Sequence, residues 1–116
     1  MIQALGKITV PTPGTPVQVT INLPDEGNPA IPPYTRCHGI LVQALPTNGG
    51  NVYVGTSAMD AVALSGVFAI LGVPTANFLP TFSAALTITP NGLMASDFYL
   101  DADVNDEGAI VTILVT

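Results

Sequence analysis

The sequence predicts an all-β chain that folds as a single two-sheet β-sandwich of jelly-roll type, with about eight short strands. Apolar and polar residues alternate over short segments, most clearly over residues 17–23, as in a strand with one buried face. The 11 prolines and 11 glycines fall between such segments, and helical periodicity is weak nearly everywhere. A length of 116 residues with no internal repeat indicates one domain over residues 1–116.

The first third of the chain contributes two of these strands. Residues 2–10 form a predicted strand interrupted by Gly6, and residues 11–14, Pro-Thr-Pro-Gly, connect it to the strand over 17–23. Four prolines in residues 24–33 then indicate an extended surface loop. Residues 1–10 are either an edge strand or an N-terminal arm that adds a strand to a neighbour's sheet.

Two hairpins are predicted further along the chain. An Asn-Gly-Gly tract at 48–50 separates strand-like residues 36–45 from residues 51–55, which favours a tight turn between paired strands. Near the C-terminus, residues 98–104 and 109–115 flank a polar turn that ends in Gly108. We expect Gly108 to be the left-handed residue of that turn.

Two more strands are predicted between the hairpins, over residues 67–71 and 82–89, with a loop over 74–80 between them. A short helix over residues 58–69 is the alternative for part of this region, because Met59, Ala63 and Gly66, together with Ile70 just after it, are helically spaced.

The charge balance excludes several classes of partner. A net charge of −6 with only Lys7 and Arg36 as cations leaves no basic surface for nucleic acid. The longest apolar run, over 61–73, is too short and too close to Pro74 to cross a membrane, and residues 1–10 do not predict a secretion signal. The lone Cys37 favours synthesis in a reducing compartment.

An acidic tract near the C-terminus resembles the start of a calcium loop. Asp101, Asp103 and Asn105 alternate as EF-hand ligands do, but Asp106 replaces the required glycine and Thr112 the required glutamate. A strand with outward aspartates is therefore favoured, and a cation site here stays open. A paired-carboxylate glycosidase site on the same strand, which would also use Asp97, lacks an aromatic platform, so a solvated edge is the better interpretation.

No catalytic, cofactor or metal residues are predicted. Cys37 and His38 are neighbours on a strand and point to opposite faces, which removes the simplest nucleophile pair and favours a buried Cys37 and a surface His38. One histidine and one cysteine are too few for a zinc site, and no serine-hydrolase elbow or phosphate loop is present. The chain is predicted not to be an enzyme and to need no cofactor.

Residues 61–96 contain no ionisable side chain, although charged residues usually form roughly 25–35% of a soluble surface. Charged residues are 9% of the whole chain, against about 25% in ordinary domains. We expect much of this uncharged stretch to be covered by another copy of the chain or by a larger partner. The predicted interface residues are six apolar side chains: Phe68, Ile70, Leu71, Phe78, Leu79 and Phe82.

Two segments, RCHGILVQALPTNGGNVYVGTS at 36–57 and DFYLDADVNDEG at 97–108, resemble a pattern in small β-sandwich virion proteins of tailed bacteriophages. The resemblance covers roughly the C-terminal two-thirds of the chain and carries over no catalytic residues. It implies a decoration or cement protein, commonly a homotrimer, that binds the major capsid protein on the capsid exterior after synthesis in the cytoplasm of the bacterial host. Self-association and capsid contacts would stabilise the phage head.

The alternative function is a receptor- or carbohydrate-binding module of a phage tail or head fibre. Sugar binding usually uses exposed aromatic side chains, and this chain has no tryptophan, three tyrosines and four phenylalanines. That composition favours the structural virion protein over the binding module, and an enzyme is the third interpretation.

Overall fold

A computed structural model describes residues 2–19, 36–85, 93–94 and 97–115, and in these ranges the chain is all-β. The strands are β1 (Ile2–Val10), β2 (Val17–Gln18), β3 (Arg36–Ala44), β4 (Val52–Asp60), β5 (Ser65–Leu71), β6 (Thr81–Ala85), β7 (Leu93–Met94), β8 (Tyr99–Ala102) and β9 (Glu107–Val115). No helix long and apolar enough to span a membrane occurs in the described ranges.

The strands form two antiparallel sheets packed face to face. One sheet has the order β1-β9-β3-β6, with the two-residue β7 also paired to β3, and the other has the order β2-β8-β4-β5. If the two-residue β7 is left out and the remaining eight strands are renumbered 1 to 8 in chain order, the two sheet orders become 1-8-3-6 and 2-7-4-5. Successive strands therefore alternate between the sheets except at β4 and β5, which confirms the predicted jelly-roll sandwich.

Both predicted hairpins are wrong, because the strands of each pair belong to opposite sheets. Strand β3 pairs with β9 and β6, whereas β4 pairs with β8 and β5. Strands β8 and β9 are likewise separated between the sheets. The turn residues mark where the chain reverses. In a jelly roll the chain passes from one sheet to the other at such a turn, so the strand before the turn and the strand after it do not pair.

The connection between β3 and β4 is held by the start of β9. The Glu107 carboxylate accepts hydrogen bonds from the Gly49 and Gly50 N–H groups, at 2.6 and 3.0 Å. The connection between β8 and β9 is tied to the end of β1, since the Asp106 N–H donates to the Val10 carbonyl oxygen at 2.8 Å. The left-handed residue of that turn is Asp106, with φ of 65°, and not Gly108.

In the part of the chain that the structure describes, the one hairpin between successive strands joins β4 to β5, so the alternative helix over 58–69 is wrong. Helical spacing of a few apolar residues does not outweigh pairing with a neighbouring strand. One Asp60 carboxylate oxygen accepts from the Val62 and Ala63 N–H groups at 2.9 and 3.0 Å, which shapes the turn over 61–64. Leu64, with φ of 58°, completes the reversal into β5.

Alternate residues of the central strands fill the core between the sheets. In β9 the side chains of Ala109, Val111 and Ile113 are fully buried, while Ile110 and Leu114 are partly exposed. Further core side chains come from both sheets: Leu5, Val10, Val19, Ile40, Val42, Ala44, Val52, Val54, Leu71, Phe98, Leu100 and Ala102. Burying a side chain of this size contributes about 1.5–3 kcal/mol, which makes this core the main source of stability.

Strand β1 is an edge strand of its own sheet and pairs with β9 over its whole length. The register shifts between Ala4 and Gly6, where Gly6 has φ of 80°. The predicted interruption at Gly6 is therefore a β-bulge, which bends the edge without ending the strand.

Some predictions lie outside the described residues. They are the loop over 24–33, the later parts of the strands predicted over 17–23 and 82–89, and the side chains of Cys37 and His38, whose backbone belongs to β3.

Candidate functional site

Six large apolar side chains between the β4–β5 turn and the loop before β6 are exposed, by 48–96% of their area. They form what we call the apolar band: Val62, Leu64, Phe68, Ile70, Val73 and Phe78. Four other large apolar side chains are also exposed in the described ranges, so the band holds most of this surface. A monomer keeps contiguous apolar patches to a few hundred Å², and larger patches mark contact sites.

Local structure explains why these side chains face outward. Strand β5 is an edge strand, and Ile70 lies opposite Tyr53 of β4, while the next residue, Leu71, points into the core. In the following loop, Thr75 and Phe78 exchange backbone hydrogen bonds of 3.0 and 3.3 Å, and this tight reversal leaves the Phe78 side chain 65% exposed.

The band is anchored to the core through aromatic contacts. The ring of Phe68 packs edge-on against the buried ring of Phe98, with ring centroids 5.9 Å apart. Phe82, at the start of β6, packs against the same ring at 6.4 Å. Phe68 is therefore held in place although half of it is exposed, and a held side chain loses less conformational freedom when it is covered.

The six predicted interface residues divide into three groups. Phe68, Ile70 and Phe78 are exposed, and Leu79 and Phe82 are half-buried. Leu71 is only 3% exposed and belongs to the chain's own core. The prediction could not separate Leu71 from Ile70, because it did not assign which residues of this strand face the core.

Three residues of the band, Val62, Leu64 and Val73, were not predicted. Their signal was present, since turns are usually polar and the turn over 61–64 is Ala-Val-Ala-Leu. Leu64 is also a bulky side chain in the left-handed region, where Gly or Asn is preferred. Apolar residues in a turn are therefore a stronger indication of a contact surface than apolar residues in a strand.

A second, smaller apolar surface lies on the outer face of the sheet that contains β9. Leu41, Ile110 and Leu114 are about 40% exposed there, and Leu41 lies opposite Thr112. Lys7 lies opposite Ile110 on the neighbouring strand β1. The sequence analysis did not single out this face, because each of these residues alternates regularly with core residues in its strand.

A cleft of about 450 Å³ lies between the 11–16 connection, the β4–β5 turn and the end of β8. Its lining includes three carboxylates, Asp60, Asp101 and Asp103, beside Met59 and Val62. Its volume is within the range of small-molecule sites, roughly 300–1,000 Å³.

The three carboxylates of the cleft already hold its walls together. One Asp101 oxygen accepts hydrogen bonds from the Gly14 and Ala102 N–H groups at 3.0 and 2.8 Å. Asp60 accepts in the same way from an N–H group of the β4–β5 turn. Asp103 accepts from the Tyr53 hydroxyl at 2.9 Å and from the Asn51 N–H at 3.3 Å.

The burial of Asp101 shows that the prediction of a solvated acidic edge is wrong at this residue. Asp101 faces outward from β8, opposite Tyr53, yet it is only 1% exposed because the Gly14 region covers it. No group of three or more His, Cys, Asp or Glu side chains in the described ranges is placed to hold a metal ion.

Tyr53 is the ionisable group that this arrangement perturbs. Burial raises the pKa of the Tyr53 hydroxyl, and the hydrogen bond to Asp103 with the negative charges of Asp103 and Asp101 raises this pKa further. A hydrogen bond with Asn51 acts in the opposite direction. Tyr53 therefore stays protonated over the neutral range and donates steadily to Asp103.

Comparison of the chain with family models, with curated proteins and with solved structures finds no match.

Proposed function

We propose that this chain is a structural virion protein, a capsid decoration or cement protein that stabilises a tailed-phage head and has no catalytic activity. The observation that carries the proposal is the apolar band, which lies within the part of the sequence that contains no ionisable side chain. A protein that must bind copies of itself and a large particle needs wide contact surfaces, and the band supports that role. The resemblance of residues 36–57 and 97–108 to phage virion proteins supplies the setting.

Covering the band supplies part of the free energy that association requires. A half-exposed side chain of this size gains about 1 kcal/mol when it is covered, at roughly 25 cal/mol per Å². Six such side chains together approach the roughly 4–15 kcal/mol that association costs in lost freedom of motion. In this proposal the band is the central part of a contact of standard size, which covers about 800 Å² per partner.

The distribution of charge supports an outward acidic surface. Asp103 and Asp106 are exposed in the connection between β8 and β9, and Asp97 is exposed just before β8. Carboxylates that remain in solvent keep decorated particles from sticking to one another through like-charge repulsion. In this proposal the band contacts neighbouring copies and the major capsid protein on the capsid exterior, while these carboxylates face the solvent.

The proposal is tested by the mass of the native particle with which the chain copurifies. We expect the 11.9 kDa chain to sediment with capsid-sized particles and to be retained when they are purified again. Val62→Asp should lower retention at least tenfold, because it places a charge in the band. The matched control, Val104→Asp, changes an exposed valine outside the band and should leave retention unchanged. A chain that stays monomeric at high concentration and is not retained on any particle contradicts the proposal.

The cleft lined by Asp60, Asp101 and Asp103 favours a second candidate, a receptor- or carbohydrate-binding module of a phage fibre. Each of its carboxylates retains an acceptor capacity that a sugar hydroxyl could use. No aromatic side chain lines the cleft, which is why this candidate ranks second. Binding on a glycan array that Asp60→Asn abolishes, together with no retention on capsids, would reverse the ranking.

A further inference from the structure

The two sheets have four edges, and three of them carry features that discourage pairing with another chain. Strand β1 carries Lys7 and a bulge at Gly6, strand β2 is two residues long and follows Pro16, and strand β6 follows Pro80. Charges, proline, bulges and short length are the devices by which natural sheets protect their edges.

Strand β5 is the fourth edge, and its irregular pairing with β4 is the only such feature that it carries. It has seven residues, Ser-Gly-Val-Phe-Ala-Ile-Leu, without charge or proline, and it exposes Phe68 and Ile70. No strand in the described ranges pairs with its outer side. Its pairing with β4 is irregular at Phe68, which is skipped in the register, and again near Gly66, with φ of 68°, so residues 69–71 are the regular part of the edge.

We propose that β5 of one molecule pairs antiparallel with β5 of a second copy across a two-fold axis. This pairing joins the two sheets of order β2-β8-β4-β5 into one eight-stranded sheet and places Phe68 and Ile70 of both copies in the contact. The inference rests on the self-association in the proposed function and names its partner and geometry.

The distribution of charge indicates that the strand paired with β5 comes from a second copy of the chain. Two molecules that each carry a net charge of −6 repel, so they meet most readily where neither has ionisable groups, and residues 61–79 have none. A strongly charged partner would find no opposite charge along this strand. An uncharged edge with alternating exposed apolar side chains is instead complementary to itself, as a two-fold contact requires.

The position of Asp60 selects the antiparallel orientation. Asp60 lies opposite Ser65, at the start of β5, and is exposed. A parallel pair would bring the two Asp60 side chains to the same end, where they would repel. An antiparallel pair centred on Ile70 keeps the ends about 34 Å apart at a rise of about 3.4 Å per residue, well beyond the screening length of about 8 Å.

The first test combines sedimentation with hydrogen exchange on the intact chain. We expect a dimer whose β5 amides exchange at least tenfold more slowly at high than at low protein concentration, because pairing protects backbone N–H groups. Ile70→Lys should weaken dimerisation at least tenfold, whereas the control Leu41→Lys, of similar exposure on the other sheet, should not. Concentration-dependent protection on β3 and β9 in place of β5 overturns the proposal, and so does a chain that is monomeric at all concentrations.

Cysteine cross-linking provides a second measurement that does not depend on the effect of a charge. Opposed residues of an antiparallel pair have Cα atoms about 4.5–5.5 Å apart, within the range of a disulfide. Ile70 lies on the two-fold axis and is opposed to Ile70 of the second copy, so under mild oxidation Ile70→Cys should give a covalent dimer, while Leu41→Cys should give no more than the wild type with its Cys37. Failure of Ile70→Cys to cross-link in a sample that sediments as a dimer overturns the β5 pairing.

These experiments also distinguish the β5 pairing from the proposed virion function. A homotrimer that is retained on capsids overturns the two-fold pairing and leaves the virion function standing. A dimer linked through β5 that binds no particle supports the pairing and contradicts the virion function.

Discussion

The buried amide of Asn48 pairs with the backbone of Gly108, sixty residues later in the chain. Its Nδ2 group donates to the Gly108 carbonyl oxygen at 2.8 Å, and its Oδ1 atom accepts from the Gly108 N–H at 3.4 Å. At the point where the chain passes from one sheet to the other, these side-chain hydrogen bonds replace the backbone hydrogen bonds that a paired strand would make. The connection between β3 and β4 is thereby fixed to the start of β9.

Replacing Asn48 by alanine should lower the free energy of unfolding by about 1–3 kcal/mol, because the buried Gly108 N–H loses its partner. Urea denaturation of the two proteins measures this difference. The control is Asn105→Ala, which changes an exposed asparagine in the other connection and should stay within about 0.5 kcal/mol of the wild type. Equal stability of both variants would show that the Asn48 amide contributes little.

Gly108→Ala should be far more disruptive than an ordinary glycine substitution. A Cβ atom at Gly108 would run into the backbone of Ile8 and Thr9, which cannot move without breaking the β1–β9 ladder. We expect a loss of at least about 3 kcal/mol, or no folded protein.

The matched control is Gly72→Ala, because the nearest atom to its new Cβ would be an oxygen of Asn51 at 4.0 Å. This variant should be within about 1 kcal/mol of the wild type, on the stable side if the unfolded chain loses freedom. Thermal unfolding followed by circular dichroism distinguishes the two variants. A Gly108→Ala protein that melts with the wild type would contradict the close approach of β1 and β9.

Tyr53→Phe should change how stability depends on alkaline pH. The raised pKa of Tyr53 means that the folded protein holds the phenolic proton more tightly than the unfolded chain, whose tyrosine pKa is about 10. This stabilisation is complete below about pH 10 and is lost as the pH rises through the folded pKa.

At pH 8, Tyr53→Phe should therefore be less stable than the wild type by about 0.5–1.5 kcal/mol, through loss of the hydrogen bond to Asp103. The difference should shrink above pH 10, where only the wild type loses the Tyr53 contribution. Urea titrations at the two pH values measure it, with Tyr99→Phe as the control that retains Tyr53. A difference that stays constant with pH would exclude this role for Tyr53.

Leu64→Gly should stabilise the monomer and weaken its association. Leucine in the left-handed region costs about 1–2 kcal/mol, and glycine costs about 0.5–1 kcal/mol in backbone entropy, so the net gain is up to about 1.5 kcal/mol. The same change removes an exposed side chain of the apolar band. Ala63→Gly in the same turn has no positive φ to relieve and should be neutral or destabilising. For Leu64→Gly the melting temperature should rise, and sedimentation should show weaker association. The two measurements together test these opposite effects.

The candidate contact surface was predicted only in part. The uncharged stretch over 61–96 contains Phe68, Ile70 and Phe78, which are exposed as predicted. Leu71 is buried, because the pairing of β5 with β4 decides which alternate residues face the core. The buried state of Asp101 was not predictable, since a connection nearly ninety residues away in sequence covers it.

The sequence by itself determined the strands, because alternation with a period of two and the placement of proline and glycine are local properties of the chain. The absence of ionisable side chains over residues 61–96 is likewise a property of the sequence alone. Only the tertiary structure decided which strands pair, since a turn that closes a hairpin and a turn that crosses between sheets use the same residues. The choice between them depends on distant contacts such as Asn48 with Gly108, which become favourable only when both sheets enclose a common core.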